Sequence, residues 1–301
     1  MAGDHCPDLR VYPVRVPYFN ASMAPNGMMQ IWSGMLLRVE NEAQLAAIIG
    51  HEMGHYLQRH TLERLRDVKA KSAFAALLAP FGLIGALGGL AAVASAFAFS
   101  RSQELEADTI GLALMLKAGY DPREASKIWA NLQAELAVAP NGDPTKNSPM
   151  FATHPPSEER KANLERLASA TSGGFVGSNE FSEKIAFIQA DLLEDEIKRG
   201  QHDETLVLLN RIMEKQSQRS DLHYFRGEVR RLRAKDNDLE AASNDFDRAI
   251  QLGNEPVQLH RAKGYIHLQR NQSEQARSSF ALYLERAPQA PDAGLIRQHL
   301  N

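Results

Sequence analysis

Apolar residues recur at helical spacing over most of this chain, and at strand spacing only near its start. Residues 9–19 are rich in β-branched and aromatic side chains and read as a strand, with Pro13 and Pro17 placing it at an edge or breaking it. Pro25-Asn26-Gly27 is a turn signal, and Met28 to Trp32 reads as a returning strand. A small β-hairpin, or a piece of a small sheet, is therefore expected first. A helix is expected from Glu42 to about Val68, with Asn41 as N-cap, Gln44 completing a capping-box pattern, and Leu45, Ile48, Ile49 and Met53 forming its apolar face. Further helices are expected over about Ser100–Ala118, Pro122–Ala137 and Pro156–Ala168. Gly119 and Pro122 close the first of these, and residues 139–152 form a loop rich in Pro, Gly and Asn.

Two stretches depart from this amphipathic pattern. Residues 72–100 carry no charge, and they exceed the roughly 20 residues that span a bilayer. Pro80, Gly82, Gly85, Gly88 and Gly89 interrupt them, so two short apolar helices joined by a bend fit better: a buried hairpin, or one that touches a membrane peripherally. A mobile lid and a true span are the alternatives. Residues 171–180 are small and polar and read as a linker, dividing a domain at 1–170 from one at 181–301.

Beyond the linker the pattern repeats with a period near 34 residues. Gly227, Ala242, Phe246 and Ala249 form one unit; Gly264, Ala276, Phe280 and Pro288 form the next, with Tyr283 where alanine is usual. Residues 183–215 look like a degenerate first pair, with Gly200 in its turn. This is the tetratricopeptide pattern, whose helix pairs must stack to bury their apolar faces. An unrelated helical bundle is the alternative. His223, His260, His267 and His299 are expected at the surface or in a groove of these helices, and Trp32 and Trp129 in the core.

Composition narrows the function. The chain is 44% hydrophobic and 24% charged, so a globular core is expected rather than disorder. A net charge of −3 gives no long-range attraction to nucleic acid, and no nucleic-acid partner is expected. A single cysteine, Cys6, excludes an intramolecular disulfide and any zinc site built on two or more cysteines. The first residues lack a basic stretch followed by an apolar one, so no signal peptide is visible. Either the protein is cytoplasmic or a leader is missing from the chain.

The chemistry sits at His51-Glu52-Met53-Gly54-His55. Histidines at i and i+4 on a helix can hold one metal ion, and the glutamate beside them can take a proton from water. A catalytic zinc site needs a third protein ligand and an open position. His60 lies five residues past His55, not six, and Gln58 replaces a glycine, so the extended three-histidine motif fails. A second helix supplies Glu104 as the third ligand. Asp108, one turn on, can accept a hydrogen bond from the far nitrogen of a ligand histidine, His51 by preference. Glu106 points elsewhere and reads as solvated surface. The expected cofactor is one Zn²⁺ per chain, with Glu52 as the catalytic base.

His51–His55, followed by Ser100-Arg101, Glu104-Leu105-Glu106-Ala107-Asp108-Thr109-Ile110-Gly111 and Ala118-Gly119-Tyr120-Asp121-Pro122, resembles the HtpX-type zinc metallopeptidases, peptidase family M forty-eight. Phe19-Asn20-Ala21 and Ser33-Gly34-Met35-Leu36 match the same pattern, and the likeness covers about residues 9–168. With the repeats, it is similar to the BepA-like subgroup. The resemblance implies an α+β, mainly α fold: a zincin-like metalloprotease domain with a small β-sheet, then an α-helical tetratricopeptide domain. It implies a periplasmic protease with chaperone activity in outer-membrane protein assembly and quality control. Its partners would be unfolded or misassembled polypeptides, with outer-membrane assembly proteins bound through the repeats. It also suggests that His154, in Thr153-His154-Pro155-Pro156, occupies the open zinc position in a resting state and swings away for substrate. A donor to the oxyanion and an ordinary loop histidine are the alternatives. An extended substrate can add as a strand near Phe19, Asn20 and Ala21. Two rival classes stay open: a chaperone or scaffold with a latched or structural zinc, and a membrane-embedded protease anchored by residues 72–100.

Overall fold

A computed structural model describes residues 9–78, 98–139, 148–171 and 173–300. His5, Cys6 and residues 79–97, which hold most of the expected apolar hairpin, lie outside the described residues. Among the described residues no helix is long and apolar enough to cross a membrane.

Three short strands come first: β1 (Arg10–Val14), β2 (Ala21–Met23) and β3 (Met28–Trp32), in the order β1-β3-β2. β2 and β3 are antiparallel around the Pro25-Asn26-Gly27 turn, where Gly27 takes a φ of 82°. β1 runs parallel to β3, so the hairpin forms between 21–23 and 28–32, not between 9–19 and 28–32. Pro13 lies on an edge strand, where its missing N–H costs no ladder bond.

The helices of the first unit are α1 (Ser33–Arg38), α2 (Glu42–Leu57), α3 (His60–Leu78), α4 (Arg101–Lys117), α5 (Glu124–Leu136), α6 (Pro149–Thr153), α7 (Glu158–Ser169) and α8 (Ser178–Lys198). The single helix expected over 42–68 is broken: Arg59 adopts a left-handed φ of 59°, ending α2 and turning the chain into α3. Asn41 caps α2 through the Gln44 N–H at 2.8 Å, while the Gln44 side chain accepts from the Glu40 N–H rather than that of Asn41. Ser100 and Gln103 form a full capping box on α4. Part of the expected 139–152 loop is helical, because Ser148 caps α6 and Pro149 sits in its first turn.

Phe19, Met29, Met35, Ile48, Ile128, Met150 and Phe151 form the main core, which Phe181 of α8 joins. The expected linker belongs to this unit. Phe175 donates its N–H to Gly119 O at 2.8 Å and accepts from Asp121 N–H, and Val176 O accepts from Ala43 N–H. Any side chain at Gly174 would strike the Tyr120 backbone at 2.6 Å. The two compact units therefore divide at Glu196 and Ile197, within α8, and the stretch 183–215 is shared between them.

The second unit contains α9 (His202–Lys215), α10 (Ser220–Arg233), α11 (Asp238–Leu252), α12 (Gln258–Gln269), α13 (Ser273–Arg286) and α14 (Ala293–Arg297). α10 packs on α11 and α12 on α13, as two successive helix pairs. Each pair closes on a glycine under a phenylalanine ring: Gly227 against Phe246, and Gly264 against Phe280. His223 and His260 are buried rather than superficial, and His299 stacks on Phe280.

Candidate metal centre

α2 carries His51, Glu52 and His55, and α4 carries Glu104 and Asp108. Small residues bring these helices together. A Cβ at Gly54 would lie 2.8 Å from the Ala107 carbonyl oxygen, and one at Gly50 would lie 2.7 Å from that of Gly111. The two backbones therefore touch, and Glu104 reaches the histidines without a bridging side chain. α6 ends at His154, whose N–H donates to Met150 O, while Thr153 O accepts from Phe99 N–H.

These elements converge on one point. His51, His55, Glu104 and His154 each offer one ligand atom, all within 4.8 Å of one another and all buried. His51 Nε2 lies 3.1 Å from His55 Nε2 and 3.2 Å from His154 Nδ1. Glu104 Oε1 lies 3.0 Å from His154 Nδ1 and 3.4 Å from His55 Nε2. His51 donates from Nδ1 to Asp108 Oδ1 at 2.8 Å, which leaves its Nε2 with a lone pair facing the cluster. Several ring lone pairs and a carboxylate oxygen pointing at one another repel unless a cation lies among them. The donor set therefore fits a metal ion, and its mixture of imidazole and carboxylate suits zinc.

Arg160 of α7 holds the far side. Its guanidinium forks onto both oxygens of Asp108 at 2.8 and 2.9 Å and pairs with Glu104 Oε2 at 2.6 Å. It also lies over the Trp129 ring. Burial opposes the charge on Asp108, yet the Arg160 and His51 hydrogen bonds hold its carboxyl below the usual range. Burial likewise opposes Glu104, and contacts with His154 and His55 outweigh it, keeping the carboxylate ionised. Burial lowers His51, but the Asp108 hydrogen bond and the nearby carboxylates raise it on balance. Burial dominates at His55 and takes the imidazole down to about 2, which keeps it neutral and able to ligate.

Glu52 is set apart from the ligand atoms. Its Oε1 is buried without a hydrogen-bond partner among the described residues, 3.6 Å from His154 Nε2. Burial pushes its carboxyl above the ordinary value, and the His154 and His51 charges only partly offset this. Such a group suits proton transfer.

All four expected ligand and gate positions meet here, Asp108 bonds His51, and Glu52 lies beside them. Phe19 and Ala21 are buried in the core, and Asn20 has a buried Oδ1 without a partner among the described residues, next to and within β2, the edge strand that packs on α2. Sequence reasoning missed Arg160 and Phe99, and weighed His60 only as a metal ligand. Phe99 stacks on His55 with ring centroids 3.8 Å apart, and His60 bonds His55. Neither Arg160 nor Phe99 belongs to a spaced motif. Glu106, expected on solvated surface, is half exposed but reaches His60.

The model of Peptidase family M48 matches residues 5–168. The chain belongs to this family. Among its curated relatives are the Mitochondrial metalloendopeptidase OMA1 of Arabidopsis thaliana, 33% identical over 150 residues, and the Putative beta-barrel assembly-enhancing protease of Vibrio cholerae, 32% identical over 162. The Beta-barrel assembly-enhancing protease of Escherichia coli is 28% identical over 182 residues. The matches cover 50%, 50% and 54% of this chain, but only 30%, 32% and 34% of those proteins. The matched residues include α2, α4 and Arg160.

Proposed function

We propose that this M48 protein is a zinc endopeptidase that hydrolyses peptide bonds of unfolded or unassembled polypeptides. The observation that carries the reading is the convergence of His51, His55, Glu104 and His154 beside Glu52, whose buried Oε1 has no hydrogen bond among the described residues. His51, His55 and Glu104 would hold the ion. Bound zinc supplies Lewis acidity, bringing the pKa of water towards neutrality and polarising a carbonyl. Glu52 takes the proton from the attacking water and delivers it to the leaving amine. Asp108 and Arg160 hold His51 and Glu104 in place. An extended substrate adds along β2 near Phe19, Asn20 and Ala21.

The substrate and location rest on likeness. Two of the relatives are named for β-barrel assembly, and this supports a role in outer-membrane protein assembly and quality control, in the periplasm. The paired helices closing on Gly227 and Gly264 support a tetratricopeptide domain that binds assembly partners.

His154 favours a latched resting state, because its Nδ1 takes the fourth corner of the cluster. Casein digestion by zinc-loaded protein tests both points. The parent, or at least His154→Ala, cleaves, and Glu52→Gln on the same background binds zinc without cleaving. Cleavage by Glu52→Gln would overturn the assignment. Faster cleavage by His154→Ala than by the parent supports the latch. If neither the parent nor His154→Ala cleaves, while partner binding survives Glu52→Gln, the chaperone reading takes its place.

A further inference from the structure

Each α2 histidine needs a partner for its outer nitrogen. His51 has Asp108. Among the described residues, no carboxylate bonds Nδ1 of His55. Its Nδ1 lies instead 3.1 Å from Nδ1 of His60, and His60 Nε2 lies 3.3 Å from Glu106 Oε2. The His60 ring is buried, while Glu106 is half exposed. The left-handed turn at Arg59 makes this contact, folding the start of α3 back onto the last turn of α2.

The proton count along this chain has one consistent solution. His55 Nε2 faces Glu104 and His51, so ligation through it requires the proton on Nδ1. That N–H donates to His60 Nδ1, which must then carry a lone pair. His60 therefore bears its own proton on Nε2 and donates it to the Glu106 carboxylate. Each of the four ring nitrogens then has a role, as donor, acceptor or ligand.

We propose that His60 is a positioning residue for the metal: with Glu106 it fixes the tautomer and orientation of His55, as Asp108 does for His51. A histidine that the three-histidine motif excludes as a ligand thus serves one bond further out. The Phe99 ring, stacked on His55 and covered by the Arg64 guanidinium at 3.9 Å, leaves His55 little freedom to turn towards another partner.

The inference rests on the zinc reading, and direct zinc affinity separates the two. Metal-free parent, His60→Ala, His60→Asn and Glu106→Ala compete with a chromophoric chelator for Zn²⁺, after circular dichroism and thermal melting of each metal-free protein. His60→Ala is expected to lose about 10- to 100-fold in affinity, the usual effect of removing such a partner. His60→Asn places an amide oxygen where Nδ1 stood and recovers most of that loss, although it fills the space of the ring poorly. Glu106→Ala, which opens no cavity, loses less than His60→Ala but measurably. Equal affinity for parent and His60→Ala overturns the proposal. So does an Asn variant as weak as the Ala variant, because packing alone then explains the site. If His60→Ala fails to fold, Glu106→Ala decides, and unchanged affinity there overturns the relay. A parent that binds no zinc overturns the zinc reading itself.

Discussion

Glu52 shows how one side chain acquires its properties from burial. Its carboxyl is 2% exposed, its Oε1 has no hydrogen bond among the described residues, and burial raises its pKa from the model-compound value of 4.5. As a base it must be ionised to work. Activity is therefore expected to fall as pH drops and the carboxylate takes up a proton, with the alkaline side of that step fully active. A pH profile of kcat/KM on a neutral peptide checks this, and a rate that does not fall on the acid side contradicts the role. The same residue was legible in the motif, since a glutamate next to the first histidine of an i, i+4 pair has few other uses. Arg160 was not legible. It joins Glu104 and Asp108 from a helix about fifty residues further on, and an isolated arginine carries no periodic signal.

At the scale of elements, the decisive feature is the contact between α2 and α4. Gly54 and Gly50 face Ala107 and Gly111 with no room for a methyl group. In an isolated helix, glycine to alanine stabilises by about 1 kcal/mol. Here the added Cβ meets backbone, and backbone cannot rotate away as a side chain can. Gly54→Ala is therefore expected to destabilise by about 1–3 kcal/mol and to weaken zinc binding, because Glu104 is pushed away from His55. Urea unfolding and chelator competition measure the two effects, and a gain in stability would show that the helices have slack. The caps at Asn41 and Ser100 were readable because capping depends on residues within one turn. The break at Arg59 was not, because an arginine in the left-handed region carries no local cue; the site it completes lies across the helix end.

At the scale of the molecule, the first unit is held together by residues distant in the chain. Arg38 of α1 is 3% exposed and pairs with Glu135 of α5 at 2.6 Å and Glu196 of α8 at 2.7 Å, both buried. Removing the cation leaves two buried carboxylates facing each other. Arg38→Met is expected to cost about 3–5 kcal/mol, read from urea unfolding of the parent and variant. Replacement of all three residues by apolar ones is expected to restore most of the loss. A single substitution with no effect would mean that other partners or water hold the two carboxylates. This network, with Phe181 in the core and the Phe175 bridge to Tyr120, is why the unit extends to Glu196 and not to the small-residue stretch. Small polar residues signal a linker only when nothing pairs with their backbone, and here backbone hydrogen bonds tie Phe175 and Val176 to Gly119, Asp121 and Ala43.

The sequence by itself determined the helical character, the caps, the α2 histidines with Glu52, and the Glu104–Asp108 turn. Each of these is set by residues within a few positions of one another, where spacing alone specifies geometry. Only the tertiary structure decided that β1 joins β3 in parallel, that glycines weld α2 to α4, and that Arg160 and His60 steady the ligands. It also set the limits of the two units. These depend on which distant surfaces meet, and that follows from burying one shared apolar core rather than from any local pattern.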